Sequence, residues 1–253
     1  MRGSFSPYTR AASAVERASE QDSIRRIHRR PVPFLWNKLP GQSACKAYTG
    51  QRGTHPPVLA RAPLKGQTMT LDGKKIAILI APRGTEEAEF VKPRQAVEEA
   101  GASVTVIGLE AGEARTNNHD LDPGGSYTVD RTIDQVSTDE FDGLVIPGGT
   151  VGADTLRGSG DVITFVETFF DQKKPVAAIC HGPWLLVEAD VLDDRSLTSY
   201  PTLQTDIENA GGDWLDEEVI VHNGLVTSRN PDDLPAFCAK IVEEFGEGRH
   251  AAA

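Results

Sequence analysis

Short continuous apolar runs alternate along residues 74–245 with segments whose apolar positions recur every three or four residues. A parallel strand buried on both faces has no polar positions, so each short apolar run predicts a strand. We predict strands at residues 75–81, 103–107, 143–146, 175–179, 196–200, 219–221 and 225–228. We predict amphipathic helices at residues 85–100, 161–171, 201–210 and 231–245. Strand–helix–strand order requires crossovers that cover the sheet with helices, which predicts an α/β fold with a mostly parallel central sheet.

Residues 113–136 interrupt this alternation with short strand-like runs and turn residues. The turn signals at Asn117-Asn118 and at residues 122–125 favour a hairpin that leaves the main sheet. A second turn, at residues 222–224, contains Asn-Gly and joins the last two strands. We interpret His119 and His222 as surface or turn residues.

The apolar run at residues 175–179 stops abruptly at Cys180, and His181, Gly182 and Pro183 follow. A small residue two positions before the cysteine and a glycine two positions after it match a nucleophile elbow. Pro183 suits the first turn of a helix, where its missing N–H costs nothing. A helix N-terminus and an imidazole both favour a thiolate, so we expect the pKa of Cys180 below its reference value of about 8.5. The alternative is a buried cysteine that only packs.

A glycine loop, Pro147-Gly148-Gly149, directly follows the strand at residues 143–146. Ligands of open α/β sheets bind outside the carboxyl ends of the strands, so this loop and Cys180 should border one crevice. Glycines let backbone N–H groups approach a reacting oxygen. We therefore predict the N–H groups of Gly149 and His181 as oxyanion donors, with a purely structural turn as the alternative.

The charge divides the chain near residue 68. Residues 1–68 hold twelve Lys and Arg against three Asp and Glu, whereas residues 69–253 hold fourteen against thirty-four. The basic leader lacks a sustained apolar period and cannot bury enough surface to offset its conformational entropy, so we predict that it is disordered. Three interpretations of it stay open: an upstream misreading with Met69 as the natural start, an unstructured tail, or a targeting segment.

Composition limits the classes of binding partner and the cellular compartment that we expect. The acidic excess of residues 69–253 repels phosphates, which argues against nucleic acid, and fits either a high-salt source or an ordinary acidic enzyme. The three cysteines show neither disulfide nor metal-ligand spacing, so we expect a cytoplasmic protein without metal or cofactor. No apolar run reaches eighteen residues, so we expect no membrane span.

Four motifs in a fixed order carry a family resemblance. They are Gly-Thr-Glu-Glu-Ala-Glu at 84–89, Pro-Gly-Gly at 147–149, Ile-Cys-His-Gly-Pro at 179–183 and Thr-Ser-Arg-Asn-Pro-Asp-Asp-Leu-Pro-Ala-Phe at 227–237. Together they resemble the PfpI-like family of the class I glutamine amidotransferase-like superfamily, which also contains the Parkinson-associated deglycase-like proteins. The resemblance covers residues 74–245, within an expected domain at 69–253. It implies a flavodoxin-like three-layer sandwich and homo-oligomers, either dimers or larger rings.

The resemblance also implies roles for single residues. Cys180 matches the family's nucleophile and His181 the histidine beside it. Glu89 matches a glutamate whose protonated carboxyl hydrogen-bonds the thiol. Independently, Glu89 lies beside the apolar face of its predicted helix, which predicts burial and a raised pKa. Its neighbours Glu86 and Glu87 better fit solvated positions.

Two further positions depart from the family pattern. Asp154 is the best match to the third triad member, which a neighbouring subunit sometimes supplies; it is Asp where relatives often have Glu, and its spacing is one residue longer. Trp184 stands where many relatives carry Gln and would reshape the pocket that Gly148 and Gly149 border.

Two chemistries fit a thiolate beside a carboxylic acid. In the first, which we favour, the thiolate adds to a small aldehyde or a glycated group, as in glutathione-independent glyoxalases and deglycases, and Glu89 moves the proton. In the second, Cys180 attacks a peptide or other amide as an intracellular cysteine peptidase. A third interpretation is a redox-sensing stress protein in which Cys180 is oxidised.

Overall fold

A computed structural model describes residues 70–249. The predictions for the leader at residues 1–68 lie outside these residues. The strands are β1 (Lys75–Ile80), β2 (Arg83–Glu86), β3 (Ser103–Gly108), β4 (Gly112–Asn118), β5 (Asp122–Val129), β6 (Arg131–Thr132), β7 (Gly143–Ile146), β8 (Val176–Ile179), β9 (Ser196–Leu197), β10 (Asp213–Trp214), β11 (Val219–His222) and β12 (Leu225–Ser228). The α-helices are α1 (Glu87–Glu99), α2 (Thr150–Arg157), α3 (Gly160–Asp171), α4 (Trp184–Glu188), α5 (Gln204–Asn209) and α6 (Leu234–Glu247).

Seven strands form the central sheet in the order β11-β12-β8-β7-β1-β3-β6. All neighbours in it are parallel except β11 and β12, which form an antiparallel hairpin at one edge. Strands β7 and β8 are buried along their whole length, as their lack of polar positions requires. The predicted α/β fold with a mostly parallel central sheet is confirmed.

Alternate residues of β1 enter two separate cores. Ile76, Ile78 and Ile80 pack with the apolar faces of α1 and α6 on one side of the sheet. Ala77 and Leu79 pack on the other side, with residues of α2 to α5. This two-residue alternation is what a strand covered on both faces requires, and it produces three layers, helix on sheet on helix.

In the excursion predicted at residues 113–136, β4 and β5 form a small second sheet with β2, in the order β2-β4-β5, while β6 returns to the edge of the central sheet. Strand β2 pairs in parallel with β4, so the first residues of the predicted helix at 85–100 are extended and α1 begins at Glu87. Helix α2, which directly follows Gly148 and Gly149, was not predicted. The strand expected at 196–200 is limited to β9, which pairs with β10.

Among residues 70–249, no helix combines the length and the apolar character that a membrane crossing needs.

We expect Phe245→Ala to lower the free energy of unfolding by about 3–5 kcal/mol, because it leaves a cavity that the sheet cannot fill. Phe245 on α6 is fully buried, and its ring lies so close to β7 that a Cβ on Gly143 would be 3.0 Å from it. Urea denaturation measures the change. Leu121→Ala is the control, since Leu121 is 87% exposed and should alter stability by less than about 0.5 kcal/mol.

Candidate active site

The chain turns sharply at Cys180, where β8 ends and α4 follows. The φ angle of Cys180 is 60°, in the left-handed region that residues other than glycine rarely adopt. Two backbone hydrogen bonds hold it there: the Cys180 N–H donates to Ser228 O at 3.0 Å, and the Tyr200 N–H donates to Cys180 O at 2.8 Å. A strained residue held on both sides is typical of a functional site. The predicted elbow geometry is therefore present.

Positions 148 and 149 in the loop after β7 both require glycine, because atoms of neighbouring residues lie too close for a side chain. A Cβ on Gly148 would lie 2.6 Å from Glu89 Oε2 and 2.7 Å from Cys180 Cβ. Gly149 has φ 87°, and a Cβ there would lie 2.2 Å from Gly84 O. The loop thus brings its backbone N–H groups between Glu89 and Cys180, which a larger residue would push apart.

Glu89 on α1 is fully buried beside this loop. Its Oε2 accepts a hydrogen bond from Gly148 N–H at 2.9 Å, whereas its Oε1 has no regular hydrogen-bond partner among the described residues. Burial, with a smaller contribution from the charge of Glu86, raises the pKa of Glu89 to about 8, although a side-chain hydrogen bond with Cys180 opposes the shift. The Glu89 carboxyl therefore keeps its proton at neutral pH.

The Cys180 thiol is also buried, and burial raises its pKa, as does the charge of an ionised Glu89. The N–H groups of Gly149 and His181 act in the opposite direction by hydrogen-bonding the sulfur. The predicted lowering of this pKa is therefore wrong for the single chain, because desolvation exceeds the effect of the elbow donors. A proton on Glu89 removes the charge that opposes the thiolate, so the two groups titrate as a coupled pair.

His181 provides a base for the thiol. Its Nδ1 lies 3.2 Å from Cys180 Sγ, and burial lowers the pKa of the imidazole, although the charge of Asp120 opposes this shift. The imidazole is therefore neutral near pH 7, and one of its nitrogens can accept a proton.

A polar relay formed by Asp120, Thr150 and His181 determines which ring nitrogen can accept the proton. Thr150 Oγ1 donates to Asp120 Oδ2 at 2.8 Å, and it lies 3.4 Å from His181 Nε2. The Thr150 hydroxyl has one hydrogen, which it donates to the Asp120 carboxylate. His181 Nε2 must therefore be the donor in its contact with Thr150 Oγ1. The relay thus favours the Nε2–H tautomer and leaves Nδ1 free to accept the Cys180 proton.

The sequence model of the DJ-1/PfpI family matches residues 74–244. The chain belongs to the DJ-1/PfpI family. The resemblance stated from the motifs is confirmed, and the elbow, the buried glutamate and the glycine loop all lie within the matched residues.

Members of the DJ-1/PfpI family that resemble the chain carry different functional names. "Protein/nucleic acid deglycase 2" of Escherichia coli is 44% identical over 174 residues, which are 68% of this chain and 98% of that protein. "Putative cysteine protease YraA" of Bacillus subtilis is 43% identical over 164 residues, 65% of this chain and 94% of that protein. The crystal structure of Drosophila melanogaster DJ-1beta superposes with a TM-score of 0.62 at 33% identity, covering 68% of this chain and 90% of that one.

Within this DJ-1/PfpI domain, the structure brings Cys180, His181 and Glu89 together and leaves Asp154 apart. Asp154 is exposed on α2, and no hydrogen bond between its side chain and His181 occurs within residues 70–249. In the same chain, the acid linked to His181 is Asp120, and the Thr150 hydroxyl connects the two side chains. Whether a neighbouring subunit brings its Asp154 to His181 stays a prediction.

Sequence reasoning missed three functional positions. Thr150 directly follows Gly149, so the glycine motif could have pointed to it. Asp120 lies in the turn after Asn117-Asn118, so the turn residues could have pointed to it. The third is Glu86, expected to be solvated but only 7% exposed. Its contacts are made with a hairpin more than thirty residues away, and no local pattern predicts such a pairing.

Two aromatic rings enclose His181. Tyr200 stacks on the imidazole at 4.7 Å between centroids, and Trp184 meets it edge-on at 5.1 Å. Trp184 Nε1 donates to Asp206 Oδ2 at 2.8 Å, which fixes the indole. Beside it lies an open cavity of about 330 Å³ that Arg157 also lines. Trp184 therefore contacts His181 and also lines this cavity.

The described residues contain no group of three or more His, Cys, Asp and Glu side chains arranged to hold a metal ion.

We expect the stability difference between the wild type and Glu89→Gln to depend on pH between about 4.5 and 8. The folded state raises the pKa of Glu89 from 4.5 to about 8, so it binds the proton more tightly than the unfolded chain does. This contribution is complete below pH 4.5 and is lost as the pH rises to 8, at up to about 1.4 kcal/mol per pH unit. Chemical denaturation at pH 5, 6.5 and 8 measures it; parallel curves for the two proteins would mean that Glu89 ionises normally.

We expect Asp120→Asn to lower the rate at which iodoacetamide alkylates Cys180 at pH 7 by about tenfold, part of a general base's usual contribution. The amide nitrogen would donate to Thr150, whose hydroxyl could then donate to His181 Nε2 and reverse the tautomer. Asp154→Asn is the matched comparison and should change the rate less than about twofold. A loss in Asp154→Asn without a loss in Asp120→Asn would support the acid expected from the sequence instead.

Proposed function

We propose that the chain is a cysteine enzyme that acts on small reactive carbonyls and glycated groups and converts methylglyoxal to lactate without glutathione. The observation that carries the proposal is that a proton donor and a proton acceptor both lie beside the sulfur atom of Cys180. A neutral Glu89 carboxyl hydrogen-bonds the Cys180 side chain, and the acceptor nitrogen of His181 lies 3.2 Å from Cys180 Sγ. Such a site can both remove and return protons within one reaction.

The first step is addition to the aldehyde. His181 Nδ1 takes the thiol proton, Cys180 Sγ forms a bond to the aldehyde carbon, and the carbonyl π electrons move to oxygen, which takes up the proton that His181 accepted. The N–H groups of Gly149 and His181 face the sulfur and are suited to stabilise this oxygen. The product is a hemithioacetal, and no oxidant or reductant is needed.

The second step moves a hydrogen within the bound substrate. A base removes the proton from the former aldehyde carbon while the neighbouring ketone oxygen gains a proton, which gives an enediol. A proton is then returned to the neighbouring carbon and the hydroxyl on the sulfur-bearing carbon loses its proton, which gives the thioester of lactate. Glu89 is suited to this exchange, because a carboxyl with a pKa of about 8 can both give and take a proton near neutral pH. Water then cleaves the thioester, so that methylglyoxal and water together become lactate.

Peptide or amide hydrolysis is the second candidate, and the Asp120–Thr150–His181 relay favours it. Peptidases hold the catalytic imidazole by an acid so that it can protonate the leaving amine. Here the acid acts through a hydroxyl, and the 3.4 Å contact between Thr150 and His181 is long for a hydrogen bond. Carbonyl addition has no leaving amine and depends less on that alignment. Homo-oligomerisation, and oxidation of Cys180 as a stress signal, stay predictions.

We expect the purified protein to form lactate from methylglyoxal in the absence of glutathione, and Cys180→Ala to abolish this activity. His181→Ala should lower kcat by about 10²–10⁴, the range that general acid–base catalysis supplies. Lactate is measured by coupled assay. Cys238→Ala is the matched control and should keep full activity, because Cys238 lies on α6 and not in the elbow, and burial raises its pKa to about 11.

A fluorogenic peptide tests the alternative. Cleavage that Cys180→Ala abolishes, without lactate formation by the wild type, would replace the proposal by the peptidase assignment. Consumption of neither substrate, together with ready oxidation of Cys180 by peroxide, would replace it by the sensor assignment.

A further inference from the structure

Glu86 is a buried carboxylate that touches none of the reacting groups. It is the last residue of β2, directly before α1, and is only 7% exposed. Its two oxygens accept successive backbone N–H groups of the β4–β5 turn: His119 N–H donates to Oε1 at 3.1 Å, and Asp120 N–H donates to Oε2 at 3.3 Å. One side chain therefore holds two adjacent residues that lie more than thirty positions further along the chain.

The turn that Glu86 holds is strained. His119 has φ 53° and Asp120 has φ 63°, and neither is a glycine. Two consecutive left-handed residues are uncommon, and they persist only where the surroundings over-determine them. Successive N–H groups in a turn converge on an anion, and the Glu86 carboxylate supplies that anion within the fold.

The conformation of the turn decides where the Asp120 carboxylate lies. Asp120 Oδ1 accepts the Thr150 N–H at 2.7 Å, while Oδ2 accepts the Thr150 hydroxyl at 2.8 Å. Both bonds require Asp120 to point from the hairpin toward the first turn of α2. If the turn relaxed, Thr150 would lose the acceptor that directs its hydroxyl away from His181.

We propose that Glu86 is a positioning residue: by clamping the His119–Asp120 turn it holds His181 in the Nε2–H tautomer, which keeps Nδ1 free to deprotonate Cys180. The proposal deepens the proposed function, since it rests on Cys180 as the nucleophile. Glu86 acts through Asp120 and Thr150 and contacts no substrate.

Glu86 also affects the acid that hydrogen-bonds the Cys180 side chain. Its negative charge raises the pKa of Glu89, in addition to the larger effect of burial, and its own N–H donates to Gly148 O at 3.2 Å. Loss of this charge would favour an ionised Glu89 and thus oppose the thiolate. Both effects of Glu86 therefore support deprotonation of Cys180.

The neighbouring Glu87 offers a matched control. It binds the same hairpin, accepting hydrogen bonds from Asn118 Nδ2 at 3.0 Å, Gly125 N–H at 3.1 Å and the Tyr127 hydroxyl at 2.6 Å. None of these bonds reaches residues 119 and 120. Glu87→Gln should therefore loosen the hairpin without releasing the turn that carries Asp120.

The test compares Glu86→Gln with Glu87→Gln in the full chain. A glutamine has one acceptor oxygen and an amide that cannot accept the second N–H. For Glu86→Gln we expect alkylation of Cys180 by iodoacetamide at pH 7 to slow about tenfold, and the ¹⁵N spectrum of the His181 ring to lose the Nε2–H tautomer. For Glu87→Gln we expect a rate within about twofold of the wild type and an unchanged tautomer.

A rescue variant separates positioning from folding. Glycine adopts left-handed φ without strain, so His119→Gly should make the turn less dependent on its clamp. The double variant Glu86→Gln/His119→Gly should recover the tautomer and at least a third of the lost alkylation rate, even if Glu86→Gln alone folds poorly.

Three results would overturn the proposal: an unchanged His181 tautomer in Glu86→Gln, an equal loss of rate in Glu87→Gln, or no recovery in the double variant. Alkylation and the ring spectrum need no substrate. They therefore test Glu86 even if methylglyoxal is not consumed, in which case the proposed function alone would fail.

Discussion

The structure of the site depends on one buried proton. Glu89 lies in the core between α1 and the glycine loop, where water cannot solvate a carboxylate, so the neutral acid is the stable form. Gly148 satisfies one of its oxygens. The same lack of solvent raises the pKa of Cys180, so a sulfur anion forms only if nearby groups compensate for the missing water. The elbow donors, the neutral Glu89 and the imidazole of His181 each supply part of that compensation.

Much of the fold could be predicted, because the central strands are buried on both faces. Such strands have no polar positions, and their apolar runs differ plainly from the helices between them. Cys180 and Gly149 could be placed for a related reason: a strand end followed by small residues requires a sharp turn. Glu89 could be predicted as buried since it shares a helix face with apolar residues.

The relay to His181 could not be predicted, because it depends on contacts between distant segments. Asp120 acts on His181 only after β4 and β5 have folded against β2, and then only through a hydroxyl that α2 supplies. A motif near Pro147 pointed to Asp154 instead, since sequence spacing cannot tell which face of a short helix meets the site. The direction of the pKa shift of Cys180 could not be predicted for a similar reason. A sequence shows which polar groups lie next to the thiol, but not how completely the fold removes the thiol from water.

Strained backbone occurs on both of the segments that meet at the site. Cys180, His119 and Asp120 all have positive φ without being glycines; Cys180 carries the thiol, and the other two form the turn that places the Asp120 carboxylate on Thr150. Each conformation costs free energy and survives because neighbouring strands and a buried carboxylate leave no alternative. The motif around Cys180 therefore cannot fix the site by itself. The reactive geometry is a property of the whole sandwich, in which the hairpin excursion constrains the imidazole from one side and the central sheet presents the sulfur from the other.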